Sequence, residues 1–598
     1  MKLRWSLDEL YGSFETDGFK KDLEEFSYLI EEIRSWSEIH LVSDPHELPP
    51  EQRVQIIEEY LEKIEQFHRI FSKLYNYSEL TLSVDVKNET ALRVMENLQE
   101  GITELAAPET RFAKWLGSLE NLPEIIHRSS LLTDHQLYLT ETARESKFLL
   151  SESEEVLIAK MKNTGSEAWA KLQQVLTSTL TAEFTDDGAT VSREVPLSVI
   201  RSFAHDRDAG KRKAAYEAEI KSYRKVEEAS AACLNGIKGE VLTVTKMRGY
   251  QSPLEEALIN NRIDSETLQA MFAAVEESLP EFHKFLLKKA ELLGAKNGLP
   301  FYDLYAPVGE MRSQFTYDEA RDFLVTQFGT FSARLSDLAA RAFADHWIDA
   351  EPREGKGGGA FCAHLYTLKQ SRILCNFMGN YDDITTLAHE LGHAYHGECL
   401  NQATYLNSEY PMSIAETASI FCETIIKEAA LKKATPGESI AILENDLSSC
   451  SAIVVDIYSR FLFESQLFEK RKTASLSVAE LKELMLDSQK KAYGAGLDQR
   501  FLHPYMWLNK PHYYDADHNF YNFPYTFGLL FAKGLYREYV RKGASFVAEY
   551  EHLLSESGKY TVTEIASGAG IDIQDIKFWR GSLQVIKEDI AKFMALNS

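Results

Sequence analysis

Residues 383–393 read DITTLAHELGH, and two of them, His389 and His393, stand four positions apart. Side chains four positions apart share one face of an α-helix, with Cβ atoms about 5–6 Å apart. Apolar residues recur through the run at helical spacing, which predicts a buried helix. Gly392 has no side chain, so another backbone or a bound molecule is expected to approach the helix closely there. The run therefore predicts a helix that presents two imidazoles to the same side.

This pair of histidines has the spacing of a zinc site. Two imidazole nitrogens on one helical face can bind one Zn²⁺ at about 2.0–2.1 Å each. Glu390 follows His389 directly, so it lies beside the pair, where it can reach a metal-bound water without binding the metal itself. A general base needs this placement. His396, one turn after His393, is expected to be a core histidine or to support the site without binding the metal. The alternative is a helix with two ordinary histidines and a surface glutamate.

A catalytic zinc needs a third protein ligand and one open position. Residues 413–423 read SIAETASIFCE, a largely apolar helical pattern that Glu416 interrupts. A buried carboxylate without a partner is costly, and a metal ion would explain it. Glu423 lies two turns further along the same face. It is expected either to orient a ligand histidine or to form a partly exposed ion pair.

The rest of the chain reads as mainly helical. Its 598 residues exceed a typical single domain, and proline is scarce, at 16 residues. Residues 17–180 predict successive amphipathic helices, with breaks at Pro108 and Pro123. Residues 184–191 read FTDDGATV, in which an Asp-Gly turn between β-prone flanks predicts a hairpin. We therefore expect a helical N-terminal region, residues 1–200, that ends in this hairpin, and a catalytic domain at 201–598.

Two further segments frame the metal helix. The glycine cluster 355–359 predicts a flexible loop rather than a phosphate-binding loop, because it lacks the GxxxxGK[ST] spacing. Residues 371–379 read SRILCNFMG, and this β-type run predicts a small sheet just before the helix. From residue 384 onward the pattern is mostly helical, broken by an aromatic, polar loop at about 501–525.

The amino-acid composition excludes some classes of binding partner. The formal net charge is −26, which argues against nucleic acid and anionic membranes as partners. The charge either keeps the protein soluble or creates a negative interior that favours cationic peptides.

The six cysteines form no CxxC pair and suggest no disulfide framework, so free thiols in a reducing compartment are expected. The first nine residues contain no uninterrupted apolar run, so no signal peptide is expected, and no apolar run is long enough to predict a membrane span. The cytoplasm is therefore the expected location.

At these residues the sequence resembles the oligoendopeptidase F family, relatives of thimet oligopeptidase. The resemblance rests on residues 355–396 and 415–419, extends weakly to both termini, and covers nearly the whole chain. It implies a mainly α, multi-helical, bowl-like fold that encloses a deep channel, with a small β-sheet next to the metal helix. It also implies zinc held by His389, His393 and Glu416, and cleavage inside short peptides, because a folded domain cannot enter the channel.

The family also uses a histidine and tyrosines from a late loop to hold the substrate and the tetrahedral intermediate. The matching residues here, 510–525, read KPHYYDADHNFYNFPY. The resemblance makes His512, Tyr521 and Tyr525 the candidates for hydrogen-bond donors to the substrate and the oxyanion. Phe523 departs from the family pattern, where another tyrosine is common. The alternative is an aromatic core loop.

The sequence thus predicts a zinc-dependent endopeptidase in which Glu390 takes a proton from water and passes it to the leaving amine. The strand near residues 375–377 is expected to pair with the extended peptide. A zinc exopeptidase such as a carboxypeptidase, with the same HExxH core, is the first alternative. A non-catalytic peptide-binding module is the second, although such a module does not need Glu390. The side-chain preference, the physiological peptide and the oligomeric state stay open.

Overall fold

The computed structural model describes residues 3–185, 192–309 and 314–596. Most of these residues are α-helical, as predicted, because good helix formers combine with apolar residues spaced to bury one face. In the first two described ranges the helices are α1 (Asp17–His40), α2 (Pro50–Val84), α3 (Glu89–Gly117), α4 (Leu122–Ile126), α5 (Ser130–Asp134), α6 (Gln136–Glu145), α7 (Glu152–Lys162), α8 (Ser166–Ser178), α9 (Leu197–Ser202), α10 (Ala209–Tyr223), α11 (Glu227–Arg248), α12 (Pro253–Asn260) and α13 (Ser265–Leu292).

The third range continues the helical series. Its helices are α14 (Tyr317–Phe328), α15 (Ala333–Ala344), α16 (Tyr381–Cys399), α17 (Met412–Ala415), α18 (Thr417–Leu431), α19 (Pro436–Ser451), α20 (Ile457–Arg471), α21 (Val478–Tyr493), α22 (Phe523–Lys542), α23 (Ser545–Ser555), α24 (Val562–Gly568) and α25 (Ile576–Leu596). The predicted aromatic loop separates α21 from α22. In the described part of the chain, no helix is long and apolar enough to cross a membrane.

Five short strands accompany the helices. β1 (Thr181–Phe184) and β2 (Arg193–Pro196) pair antiparallel, as the hairpin prediction requires. The predicted turn at residues 186–191 lies outside the described residues. β3 (Ile348–Asp349), β4 (Phe361–Leu365) and β5 (Gln370–Leu374) form the predicted small sheet just before α16. Its strand order is β3-β5-β4, with β3 parallel and β4 antiparallel to β5.

The strand order corrects one prediction about this sheet. The backbone N–H groups of Cys375 and Phe377 donate to the carbonyl oxygens of Asp349 and Ala350, each at 3.0 Å. These groups are therefore not available to a peptide, and the prediction of strand addition at residues 375–377 is wrong. β5 lies in the middle of the sheet, so the edge next to α16 belongs to β4.

The glycine cluster is more firmly held than its composition suggests. The N–H of Gly357 donates to Ser83 O at 2.8 Å, and Gly355 O accepts from Val86 N–H at 3.0 Å. The buried Lys356 donates to Cys375 O at 2.6 Å. The segment is a loop, as predicted, and a buried ammonium and two backbone hydrogen bonds hold it at residues 355–357. Its flexibility stays a prediction.

The chain divides into two compact units, and each unit gathers three separate segments. Unit 1 comprises residues 1–149, 313–430 and 538–571, whereas unit 2 comprises residues 150–312, 431–537 and 572–598. This grouping follows spatial packing rather than chain order. The division of the sequence at about residue 200 stays a prediction.

The N-terminal helices of unit 1 pack around one apolar core. Tyr60 of α2 and Phe112 of α3 stack at its centre, with ring centroids 3.5 Å apart. Pro123 lies in the first turn of α4, near the predicted break, whereas Pro108 lies inside α3. The predicted break at Pro108 is therefore wrong. A proline removes one helical hydrogen bond, but the buried apolar face of α3 keeps the helix continuous across it.

Candidate metal centre

The start of α16 is fixed by a capping box. Asn380 Oδ1 accepts the N–H of Asp383 at 2.9 Å, and Asp383 Oδ2 accepts the N–H of Asn380 at 3.0 Å. The same carboxylate accepts the N–H of Met378 at 2.7 Å. These bonds satisfy donors that the first helical turn leaves free. They fix where the helix begins, and so which face carries the two histidines.

Gly392 allows α16 to contact the start of α18. A Cβ atom at this position would lie 2.5 Å from Ala418 O and 2.6 Å from Ser419 Cα, closer than atoms can pack. The predicted close approach at Gly392 is therefore that of another backbone. It places the first turn of α18, and Glu416 just before it, beside the histidine face of α16.

The three predicted metal ligands come together in unit 1. The Nε2 atoms of His389 and His393 lie 3.2 Å apart. Glu416 Oε2 is 3.3 Å from the first of these nitrogens and 3.6 Å from the second. All three ligand atoms lie within 4.8 Å of one another, and no other such group of His, Cys, Asp or Glu occurs in the described residues. Two imidazole nitrogens and a carboxylate oxygen form the donor set of many catalytic zinc sites.

Glu416 is less deeply buried than the sequence suggested. It caps the C-terminus of α17, and its side chain is 17% exposed. Ser419 Oγ donates to Glu416 Oε2 at 2.7 Å and approaches its backbone oxygen at 3.0 Å. Sequence reasoning missed Ser419, although its position three residues after the acid could have indicated the contact. This hydrogen bond orients the carboxylate oxygen that faces the histidines.

Glu423 contacts one of the candidate ligands directly. Its Oε1 lies 2.5 Å from His389 Nδ1. Because an ionised carboxylate only accepts hydrogen bonds, Nδ1 carries a proton, and Nε2 is the nitrogen left to bind a metal ion in place of a proton. Burial lowers the pKa of His389, but the hydrogen bond and charge of Glu423 outweigh burial and raise it to about 9. The same buried surroundings, together with the charge of His389, lower the pKa of His393 to about 4.

Glu390 lies beside the ligands and is almost fully buried, at 5% exposure. Its Oε2 atom has no hydrogen-bond partner among the described residues. Burial raises the pKa of Glu390 to about 7; the charge of His389 opposes this shift, and the charges of Glu416 and Glu423 add to it. A carboxyl group with a pKa near neutrality can both accept and release a proton under ordinary conditions.

His396 belongs to the core. Its side chain is fully buried, and its ring stacks on Tyr410 with centroids 4.1 Å apart. Its Nε2 atom lies 2.8 Å from Ser557 Oγ. Burial, with the neighbouring His393 and His364, lowers the pKa of His396 to about 3. Of the two roles predicted for this residue, the structure supports that of a core histidine.

The three predicted residues of the late loop lie together in unit 2. The rings of His512 and Tyr521 stack with centroids 6.0 Å apart, and the hydroxyl oxygens of Tyr521 and Tyr525 are 3.1 Å apart. Tyr521 is 41% exposed, whereas the neighbouring Tyr513 and Tyr514 are buried. The loop thus combines aromatic core residues with side chains that keep an accessible face.

His512 presents an unpaired ring nitrogen. Its Nε2 atom is buried and has no hydrogen-bond partner among the described residues. Burial lowers the pKa of His512 to about 3, and the charges of Arg460, Lys510 and Lys238 lower it further. The imidazole is therefore neutral at ordinary pH, and it can exchange a hydrogen bond with a bound molecule.

Comparisons with known proteins find related peptidases. The family model of peptidase family M3 matches residues 202–585, and that of oligopeptidase F matches residues 105–181. An oligoendopeptidase F homologue of Lactococcus lactis is 25% identical over 100% of this chain and 97% of its own length. Group B oligopeptidase PepB of Streptococcus agalactiae is 24% identical, covering 99% and 96%.

The fold has solved counterparts as well. The crystal structure of oligoendopeptidase-F from Enterococcus faecium superposes with a TM-score of 0.70 and 18% identity, covering 96% of this chain and 99% of that one. At this level of identity, the match shows a shared, mainly helical fold.

Proposed function

The chain belongs to peptidase family M3 and is a metalloendopeptidase that acts on oligopeptides, and from this premise we propose that it hydrolyses internal bonds of short peptides with one zinc ion and with Glu390 as general base. One observation carries the proposal. His389, His393 and Glu416 converge on one point, and the buried Glu390 carboxylate, with one oxygen unpaired, lies next to them.

The donor set fits zinc. Two imidazoles and one carboxylate suit this ion, and the contact of Glu423 with His389 Nδ1 leaves Nε2 facing the other two proposed ligands. Three carboxylates accompany the two imidazoles in this region, so a cation would offset an excess of negative charge. When bound, zinc polarises the scissile carbonyl and makes a water molecule easier to deprotonate near neutral pH.

Glu390 moves the proton. In its ionised form, the carboxylate accepts a proton from the attacking water, and the protonated form then donates it to the leaving amine. Its burial supports both steps, because a low-dielectric environment destabilises the charged form and brings the pKa towards 7. A glutamate with an ordinary, lower pKa would release the proton more readily, but it would accept the proton of the water less readily.

The late loop is proposed to bind the substrate and stabilise the oxyanion. His512 has an unpaired Nε2, and Tyr521 and Tyr525 present their hydroxyls side by side. Hydrogen-bond donors held in place before the reaction stabilise developing negative charge, because they need no reorganisation. We assign the carbonyl contact to His512 and the oxyanion contact to Tyr525, with Tyr521 supporting the latter.

The extended substrate is proposed to pair with the edge strand β4. This strand lies next to α16, and its pairing within the sheet is with β5 on one side. A peptide that adds to a sheet edge gains backbone hydrogen bonds that do not depend on its sequence. Such binding suits an enzyme for short, unfolded peptides.

A cytoplasmic location is supported by the six cysteines, which are all free thiols.

The test is the substitution Glu390→Gln, which keeps size and polarity but cannot accept the proton. We expect zinc content to stay unchanged while kcat falls by at least about 10²–10⁴-fold, the usual contribution of general-base catalysis. Glu96→Gln, on the exposed face of α3, is the matched control and should keep full activity. Near-normal kcat in zinc-loaded Glu390→Gln protein would contradict the mechanism.

A further inference from the structure

Unit 2 contains a cavity of about 350 Å³ at the start of the late loop. Its walls come from α9, α10, the turn at residues 301–305 and the segment 503–510. Aromatic rings of Tyr216, Phe301, Tyr302 and Tyr305 line it. A volume of this size is at the lower end of small-molecule sites, so it accommodates one ligand about as large as an amino acid.

Three cations also line the cavity: Arg201, Arg212 and Lys510. Arg212 is fully engaged, because its Nε donates to Asp303 Oδ1 at 2.7 Å and its Nη1 to the backbone oxygen of Asp206 at 2.7 Å. Arg201 Nε lies 3.6 Å from Glu219 Oε1. Asp303 and Glu219 therefore offset two of the three positive charges, and Lys510 is left over.

Lys510 forms no salt bridge in the described part of the chain. The carboxylates of Asp456 and Glu219 act on it electrostatically, but each is paired with an arginine, Arg460 and Arg201. No hydrogen bond or ion pair there involves its ammonium group, although the side chain is partly buried. Burial lowers the pKa of Lys510 to about 8, and the nearby Arg460 lowers it further. In a chain with a net charge of −26, a half-buried cation outside any salt bridge is unusual. An anion in the cavity would supply the missing charge.

A second unpaired group lies beside this lysine. Asn509 is 9% exposed, and its Nδ2 donates to Glu219 Oε1 at 3.5 Å, whereas its Oδ1 has no hydrogen-bond partner among the described residues. A buried acceptor without a donor is costly. The cavity thus offers one free cation, one free acceptor and aromatic walls.

We infer that this cavity binds an organic acid in which the carboxylate pairs with Lys510, an adjacent N–H donates to Asn509 Oδ1, and an apolar side chain packs against the aromatic rings. Two sources share this chemistry: a free N-acylated amino acid and the carboxyl-terminal residue of a peptide. Only Pro511 separates Lys510 from His512, so the ligand contacts the same segment that carries the proposed substrate-binding histidine. The inference rests on the cavity and does not require the proposed peptidase mechanism.

The first experiment uses N-acetylphenylalanine and its neutral amide as probes, titrated calorimetrically into the full-length, zinc-loaded protein. The acid should bind at least about tenfold more tightly than the amide, as expected for one charge-assisted hydrogen bond. Lys510→Met should remove this preference. Lys213→Met, on the exposed side of α10, is the matched control and should retain it.

Two outcomes of this titration would overturn the inference for the free acid. One is a preference for the acid that persists in Lys510→Met, since the carboxylate would then be binding elsewhere, for example to the metal. The other is equal binding of acid and amide to the unmodified protein. If Lys510→Met does not fold, Arg201→Gln provides a second variant, expected to weaken binding of the acid several-fold.

The second experiment tests whether the ligand is the carboxyl-terminal residue of a peptide. Glu390→Gln protein is titrated with one hexapeptide that ends in phenylalanine, either as the free acid or as the amide. A preference for the free acid that disappears when Lys510→Met is added identifies the peptide terminus as the ligand. A preference shown only by N-acetylphenylalanine identifies a free acid. Equal binding of acid and amide for both probes would overturn the inference. Both experiments measure binding rather than turnover. Failure of the proposed peptidase mechanism would appear in kcat and would leave these binding preferences unchanged, so the two failures can be distinguished.

Discussion

Glu423 Oε1 lies 2.5 Å from His389 Nδ1, although the two residues are 34 positions apart in the sequence. This contact fixes the orientation of the first histidine of the HExxH motif and determines which of its nitrogens faces the other two candidate ligands. It also places a negative charge behind the imidazole, which strengthens the imidazole as a ligand.

We therefore expect Glu423→Ala to weaken zinc binding by about 10–100-fold, the usual effect of losing a group that supports a metal ligand. Glu423→Gln should have a smaller effect, because its amide oxygen still accepts the hydrogen bond. The measurement is the zinc dissociation constant from competition with a chelator, with Glu96→Gln as control. Unchanged affinity in Glu423→Ala would show that the contact does not support the metal.

The second prediction concerns the ligands themselves. The purified protein should contain about one zinc per chain, and a chelator should abolish its activity. His389→Ala, His393→Ala and Glu416→Gln should each lose zinc, because each removes or weakens one of three ligands. His396→Ala should keep zinc, since this ring packs against Tyr410 in the core. Full activity in metal-free protein would exclude the proposed function.

The third prediction concerns the contact between α16 and α18. Gly392→Ala would place a Cβ atom 2.5 Å from Ala418 O, so the two helices must separate. We expect a loss of stability of about 1–3 kcal/mol, typical of overpacking, and weaker zinc binding because Glu416 moves with α18. Gly18→Ala is the control, since nothing lies within 4 Å of its Cβ position. The measurement is the midpoint of denaturant-induced unfolding, together with zinc affinity. An unchanged midpoint would show that the helices yield without strain.

The fourth prediction separates the late loop from the metal centre. Tyr525→Phe and His512→Ala should retain zinc and lower kcat, by about 10²–10³-fold for Tyr525→Phe, which removes the proposed donor to the oxyanion. Tyr521→Phe should have a smaller effect. Tyr28→Phe, at an exposed position of α1, should leave kcat unchanged. A change in KM alone would indicate that the loop binds the substrate without stabilising the transition state.

The fifth prediction concerns the type of cleavage. A short peptide blocked at both ends should still be cut at an internal bond, because an endopeptidase does not need a free terminus. A stably folded protein should be spared under native conditions, because the active site is expected to admit only an extended chain. Cut sites can be mapped by mass spectrometry. Cleavage restricted to the end of unblocked peptides would favour the exopeptidase alternative.

Much of the metal centre follows from local spacing. His389 and His393 share a face because the helical repeat places residues four apart on the same side. Glu416 stands out because an acid interrupts an apolar pattern. The aromatic loop and the sheet before α16 are also visible as changes in local pattern. In each case, the determining interaction lies within a few residues along the chain.

Other features depend on contacts between distant segments. Whether Glu423 is an ion-pair partner at the surface or a support for His389 depends on how α18 packs against α16, which no local pattern encodes. Contacts between distant segments also explain why Pro108 lies inside a continuous helix and why residues 375–377 lie in the middle of a sheet. In both places, the energy of tertiary packing outweighs a local preference.

The sequence alone therefore determined the helical class and predicted the two histidines, the candidate base and the candidate third ligand, because backbone geometry within one or two turns governs these. Only the tertiary structure decided that Gly392 faces the backbone of α18, that Ser419 orients Glu416, and that Lys510 lines a cavity. Those relationships arise when separate helices bury their apolar faces together, and the resulting distances depend on the packing of the compact unit to which those helices belong.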